Sequence, residues 1–141
     1  MRSGIVLLEL TVVLSIMAIV AAIAAPGIAG IADTAAVRDE TFRLVAAIDA
    51  ARGAAIRLGD VASLSITATR YRATVVAGTD TVIAWAQPGP AANGVTIAGA
   101  GQPMVFGPAG LAMGAANRTI IMTRGSAVRR VVIAKLGRLT Y

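Results

Sequence analysis

Apolar residues form one long run near the start of the chain. Between Gly4 and Asp33 the only charged side chain is that of Glu9. A helix needs about 20 consecutive apolar residues to span a bilayer, and this run is longer. Arg2 precedes the run, and the tendency of basic residues to stay in the cytoplasm would leave the rest of the chain on the other side of the membrane. The pattern predicts a membrane-spanning helix over residues 5–32.

Glu9 distinguishes this helix from a plain membrane anchor. A carboxylate inside a bilayer costs about 2.5–3.5 kcal/mol on insertion scales, and one found there is usually paired or functional. We therefore expect a positive partner for Glu9 once the helix is in its working environment. Two other interpretations stay open: a plain anchor, and a secretory signal peptide cut after Ala22, Ile23 and Ala24. The length of the apolar run and the glutamate inside it count against the signal peptide.

Residues 34–58 show the spacing of an amphipathic helix. Gly59 provides a stop, and Asp39 and Arg43 are spaced to form an ion pair one turn apart. We expect the apolar face to pack against a sheet; it comprises Val37, Thr41, Leu44, Val45, Ile48, Ala51, Ala55 and Ile56. The charged residues expected to lie off that face are Arg38, Glu40, Arg43, Arg52 and Arg57.

Three poor helix residues, Pro26, Gly27 and Gly30, lie between the two helical patterns. Proline costs about 3 kcal/mol in a helix interior, so these residues predict either a bend or a stretch of helix that can melt. If residues 5–58 nevertheless formed one helix, it would be about 80 Å long.

Beyond Gly59 the chain changes to short β-rich runs separated by turn residues. Pro88 and Pro90 mark a loop over residues 87–92, and a hairpin is expected to turn at Gly125. Other turns are predicted at 78–80 and 136–137. The predicted strands are 61–67, 70–76, 81–86, 94–98, 104–106, 119–123 and 127–134, with a short last strand ending at Tyr141. An antiparallel sheet packed on the long helix, an α+β fold, follows.

Composition counts against catalysis. The chain has no cysteine and no histidine, so it lacks thiolate chemistry, the commonest general base and the commonest metal ligand. Its few carboxylates show neither metal-ligand nor glycosidase spacing. We expect no enzyme activity, no cofactor and no metal.

The net charge of +6 is unevenly distributed along the chain. No acidic residue follows Asp80. This asymmetry favours an anionic partner, either nucleic acid or lipid headgroups, although a solvated basic face is the simpler interpretation. The candidate anion contacts are Arg118, Arg124, Arg129, Arg130 and Arg138.

The residues around Glu9 resemble the prepilin processing motif of type IV pilins and type II secretion pseudopilins. In that family a peptidase cuts after a glycine, here Gly4, and methylates the new terminal amine, here that of Ile5. The family's glutamate and proline fall on Glu9 and Pro26, whereas its phenylalanine and threonine are replaced by Ile5 and Val6. The resemblance implies that the Glu9 carboxylate meets the terminal ammonium of a neighbouring subunit and fixes the register of a fibre.

The rest of the chain is similar to the GspH/FimT subgroup of these proteins. Residues 44–60 match its helix, residues 104–110 its strand followed by glycines, and Gly137 with Arg138 its terminal Gly-Arg motif. The resemblance divides the chain into a leader (1–4), a transmembrane or fibre-core helix (5–32) and a pilin-like head (33–141). The head comprises the amphipathic helix (34–58) and the sheet (61–141).

The resemblance implies a structural subunit, a minor pseudopilin of a type II secretion system. Such a subunit lies in the bacterial inner membrane with its N-terminus in the cytoplasm and its head in the periplasm. After processing by the prepilin peptidase it joins other pseudopilins in a periplasmic pseudopilus that exports folded proteins. The alternative is a FimT-like minor type IV pilin that binds DNA in natural transformation, with Arg138 among its contacts.

Overall fold

The structure is a computed structural model that describes residues 2–78, 80–114, 117–134 and 138–141, with the backbone alone at residues 2–4 and 26. The turns expected at 78–80 and 136–137, and the Gly137-Arg138 motif, therefore lie partly or wholly outside the described residues. At the predicted sites Gly4 and Pro26 only the backbone is described.

One helix, α1 (Arg2–Leu58), forms the first part of the fold. It passes through residues 26, 27 and 30 without interruption, while the predicted bend there stays a prediction. It ends as expected at Gly59, which adopts a left-handed φ of 64° that a side chain would make costly. The amides of Gly59 and Asp60 donate back to the carbonyls of Ile56 and Ala55, which closes the last turn.

Two antiparallel sheets follow, where the sequence predicted one. The first has the order β3-β2-β1-β5-β6 and the second the order β4-β7-β8-β9. Their strands are β1 (Ala62–Ile66), β2 (Arg70–Ala77), β3 (Asp80–Pro88), β4 (Thr96–Ala98), β5 (Met104–Phe106), β6 (Ala112–Met113), β7 (Arg118–Arg124), β8 (Ala127–Ile133) and β9 (Leu139–Thr140).

The strand predictions are largely confirmed, with shifts of one or two residues at several ends; β4, for example, begins at Thr96 and not at residue 94. The short strand β6 was not predicted, and β3 continues to Pro88, which had been assigned to a loop. Proline is tolerated there because β3 is the edge strand of its sheet and ends at that residue. A 3₁₀ turn, Pro90–Asn93, then leads towards β4.

The second half of α1 packs against both sheets and forms a single core with them. Buried side chains alternate along β1 and β2, so one face of the first sheet covers the helix. The buried helix residues are Val37, Glu40, Thr41, Leu44, Ala47, Ile48, Ala51, Ala54 and Ala55. The first half of α1 extends away from this core.

Two assignments on the amphipathic helix are wrong. Glu40 was placed off the packing face but is fully buried, because the core supplies two hydrogen-bond donors to its carboxylate. Ile56 was placed on the packing face but is 53 % exposed, because α1 ends within one turn and only Gly110, between β5 and β6, is shown to lie against its Cδ1 atom.

Candidate assembly surface and helix–head junction

The first half of α1 is an apolar surface without a covering element. The described side chains of residues 5–29 are all exposed, and the exposed large apolar residues include Ile5 at 67 % and Ile23 at 76 %. The hydroxyls of Thr11 and Ser15 donate to helix carbonyls at 2.8 and 2.7 Å, so they are satisfied within the helix. Such a surface needs an apolar environment, either lipid or other subunits.

Glu9 is exposed within this apolar surface, as the sequence placed it. In the part of the chain that the structure describes, its carboxylate takes part in neither of the two ion pairs found. The region from residue 5 has the length and hydropathy of a membrane-spanning helix. Residues 5–32 extend over about 42 Å, close to the 40–45 Å of a bilayer with its headgroups.

Along the described part of α1, the first ion pair with the head is made by Asp33. The Asp33 carboxylate lies 3.0 Å from Nε of Arg124 at the end of β7, and both side chains are partly buried. The next residue, Gly125, passes so close to Asp33 that a Cβ atom added there would collide with its carboxylate. This contact places the β7–β8 hairpin turn at the first charged residue after Glu9, where the helix surface changes from apolar to polar.

Glu40 lies at the centre of a buried polar cluster. Its Oε1 accepts a hydrogen bond from the hydroxyl of Tyr71 on β2, and its Oε2 accepts one from Nδ2 of Asn93, both at 2.8 Å. The carbonyl of Asn93 accepts a hydrogen bond from Nη1 of Arg124 at 2.8 Å, which connects this cluster to Asp33. The cluster therefore joins the helix, both sheets and the 3₁₀ turn.

Burial raises the pKa of Tyr71 well above the ordinary value for tyrosine, and the adjacent Glu40 raises it further. Both effects favour the neutral phenol, since a buried phenolate beside a carboxylate would combine desolvation with charge repulsion. Tyr71 consequently stays a hydrogen-bond donor to Glu40.

The five arginines predicted as anion contacts have different environments. Arg118 donates from Nη1 to the carbonyls of Ala100 and Gln102, and Arg124 is held by Asp33 and Asn93. The side chains of the other three, Arg129, Arg130 and Arg138, are exposed.

The Asp39–Arg43 pair is confirmed, with Oδ2 and Nε 3.1 Å apart. Within the described residues, no group of histidine, cysteine, aspartate or glutamate side chains is arranged to hold a metal ion.

The buried polar residue that the sequence prediction missed is Glu40. Its signal was present: Glu40 lies three residues after Val37 and four before Leu44, the spacing of the packing face itself. Glu40 was nevertheless expected to lie off that face because its side chain is charged.

A long helix, half exposed and half packed on antiparallel sheets, is the architecture of a pilin-like subunit. The fold is similar to that of the type IV minor pilin FimU from Pseudomonas aeruginosa strain PAO1, with a TM-score of 0.62 and 17 % identity over 74 % of this chain and 86 % of FimU. A second crystal form of FimU gives a TM-score of 0.60 at 17 % identity over 73 % and 90 % of the two chains.

The family follows from the sequence of the head. Residues 40–137 match the family model described as type II transport protein GspH, and the chain belongs to that family. None of the curated protein sequences compared with the chain matches it.

Proposed function

We propose that the chain is a minor pseudopilin of a type II secretion system. In this proposal it is a non-catalytic subunit that is inserted once in the bacterial inner membrane, with its N-terminus in the cytoplasm and its head in the periplasm. It assembles with other pseudopilins into the periplasmic pseudopilus. The observation that carries the proposal is the lone Glu9 on an uncovered apolar helix in a chain with a GspH head.

The chemistry of assembly is electrostatic. The prepilin peptidase cuts between Gly4 and Ile5 and methylates the new amine, which keeps its positive charge. The Glu9 carboxylate of one subunit then pairs with the ammonium group of Ile5 in its neighbour. In an apolar fibre core, an unpaired carboxylate costs several kcal/mol, so only the register that brings the two charges together is stable. Pro26 lies in the segment that links this core to the head.

A secretion experiment tests the role of Glu9. In a strain lacking the protein, we expect exoproteins to leave the medium and accumulate in the periplasm. Wild type and Asp49→Asn, which removes an exposed carboxylate from the packed half of α1, should restore secretion. Glu9→Gln should not. Full secretion with Glu9→Gln, or unchanged fractions in the deletion strain, would contradict the proposal.

The N-terminal processing has its own test. The intact mass of the protein from membranes should show loss of residues 1–4 and one added methyl group. Loss of everything through Ala24 would identify a signal peptide instead, and an unprocessed mass would identify a plain anchor.

A second candidate function is DNA binding by a minor type IV pilin. It is favoured by the absence of acidic residues after Asp80 and by the exposure of Arg129, Arg130 and Arg138. Replacing Arg129 and Arg130 by glutamine should then weaken duplex binding and reduce its salt dependence. Equal binding by the double variant and the wild type would rule out this site.

A further inference from the structure

The β7–β8 hairpin lies beside the end of the apolar helix, and its direction is fixed by two contacts. Met122 on β7 has its sulfur 3.9 Å from Oγ1 of Thr41, and two residues later Arg124 pairs with Asp33. β7 therefore runs towards the exposed half of α1, and the turn at Gly125 reaches the level of Asp33. Where residues 5–32 cross a bilayer, that level is the membrane surface.

The strand that leaves this turn carries charge without a counterion. Val128 is 57 % exposed, and Arg129 and Arg130 are exposed after it. The backbone of Arg129 lies about 7 Å along β8 from Ala127, a distance that an extended arginine side chain can span. Among the described residues, neither arginine forms an ion pair.

The acidic residues nearest to the boundary are already neutralised. Asp33 is paired with Arg124, and Asp39 is paired with Arg43. Glu40 is buried in the core and is not exposed beside the β7–β8 hairpin. Ser126, Val128, Arg129 and Arg130 are here called the hairpin surface. Val128 and Arg130 lie on one face of β8 and Arg129 lies on the other, so each face carries one arginine, and Val128 places an apolar side chain next to the turn.

We propose that the hairpin surface docks on anionic phospholipid headgroups, and so holds the head against the membrane before assembly. This inference rests on the proposed membrane insertion of residues 5–32. A lipid surface fits better than DNA because the turn lies at the end of the membrane-spanning segment, so that headgroups lie beside the strand that carries the two arginines. An exposed Val128 also suits the boundary between headgroups and acyl chains.

The absence of cysteine allows one position to be labelled at a time. The full chain is reconstituted in vesicles with an environment-sensitive dye on Ser126→Cys, or on Leu58→Cys at the far end of the helix. Quenching by a headgroup-labelled lipid then reports the fraction of docked heads. One set of vesicles contains phosphatidylcholine alone, and the other contains equal parts of phosphatidylcholine and phosphatidylglycerol.

We expect quenching at position 126 to be stronger in the anionic vesicles and to fall with added salt, and none at position 58. Each arginine near an anionic surface changes the docked-to-free ratio about fivefold, so Arg129→Gln with Arg130→Gln should lower it about 25-fold. Arg57→Gln, which removes one exposed charge about 36 Å along the helix from Asp33, should leave it unchanged.

Three results would overturn the inference. Equal quenching at position 126 in both kinds of vesicle would show that headgroup charge is not recognised. Unchanged quenching in the double variant would assign the contact to other residues, and displacement by a DNA duplex at equal phosphate concentration would assign the arginines to nucleic acid. If the chain fails to float with the vesicles, the membrane insertion itself is wrong, which is a separate outcome from failure to dock.

Discussion

The hydroxyl of Tyr71 donates a hydrogen bond of 2.8 Å to Oε1 of Glu40, in a part of the core where neither residue is exposed. Asn93 supplies the second donor, so two neutral groups solvate a buried carboxylate. A carboxylate loses several kcal/mol of hydration on burial, and such hydrogen bonds are what makes its burial tolerable. The same three side chains connect the helix to the first sheet and the 3₁₀ turn.

Truncating Glu40 should strongly destabilise the head. In Glu40→Ala both donors lose their acceptor and a cavity forms, so we expect the free energy of unfolding to fall by about 3–5 kcal/mol. Glu40→Gln keeps one acceptor oxygen and the volume, and should cost about 1–2 kcal/mol. Urea unfolding followed by the fluorescence of Trp85 measures both. The control is Asp39→Ala on the exposed side, which should cost about 0.5 kcal/mol or less. Equal losses for Glu40→Ala and Asp39→Ala would contradict the role of the cluster.

Tyr71 should make the stability of the head depend on alkaline pH. Because its pKa is raised above 10.0 in the folded state, both states hold the phenol proton below pH 10 and Tyr71 adds no pH dependence there. Above pH 10 the unfolded chain loses the proton first, so the free energy of unfolding should fall by about 1.4 kcal/mol per pH unit.

Tyr71→Phe isolates this effect. At neutral pH the variant lacks the hydrogen bond to Glu40 and should be less stable by about 1.5 kcal/mol. Because phenylalanine does not titrate, the difference in free energy of unfolding between the variant and the wild type should disappear about one pH unit above 10. Denaturant titrations from neutral pH to pH 11 provide the measurement. Parallel stability curves for the two proteins would show that Tyr71 does not titrate as proposed.

The Asp33–Arg124 pair should be coupled more strongly than the Asp39–Arg43 pair. The side chains of the first pair are 23 % and 38 % exposed, whereas those of the second are 63 % and 41 % exposed, so solvent screens the second pair more. Double-mutant cycles with alanine should give a coupling energy of about 1 kcal/mol for the first pair and about 0.3–0.5 kcal/mol for the second pair. A coupling energy for Asp33–Arg124 no larger than that for Asp39–Arg43 would contradict a stabilising contact between the helix and the β7–β8 hairpin.

Gly125→Ala should disrupt the contact between Asp33 and the β7–β8 hairpin by steric collision. Gly125 has a φ of 52°, and the added methyl group would meet Asp33, so strain and collision add together. Gly78→Ala is the matched control, because Gly78 has a φ of 65° with no neighbour within 4 Å of the added atom. We expect the free energy of unfolding to fall by about 1 kcal/mol in the control, from backbone strain alone, and by at least about 2 kcal/mol in Gly125→Ala. Faster amide exchange in residues 124–127 should accompany the larger loss.

The elements of this fold were predictable because they rest on local patterns. β-rich runs between turn residues identified β1 and β2, and the left-handed residue Gly59 ended the helix where a glycine was expected. The division into two sheets was not predictable, because strand order depends on pairing between distant segments such as β1 and β5. A single sequence carries no direct record of such pairing.

The candidate sites divide in a similar way. Glu9 could be identified because a lone charge in an apolar run stands out in the sequence itself. The roles of Arg118 and Arg124 could not, because the carbonyls and the carboxylate that hold them come from distant residues. Glu40 was misassigned although its spacing was correct, because burial of a charge depends on donors from two other elements.

Asp33 is the first charged residue after Glu9 and the first at which the head is fastened to α1 by an ion pair, and this has a mechanical consequence. A pulling force applied to the N-terminal half reaches the head through a single helix, whose last stretch before Asp33 contains Gly27 and Gly30, where an added Cβ atom would meet nothing within 4 Å. Glycine lowers the work needed to unwind a helix, so this stretch should lengthen under load before the Asp33–Arg124 contact breaks. In the proposed fibre, the subunit would then extend while its head stays folded.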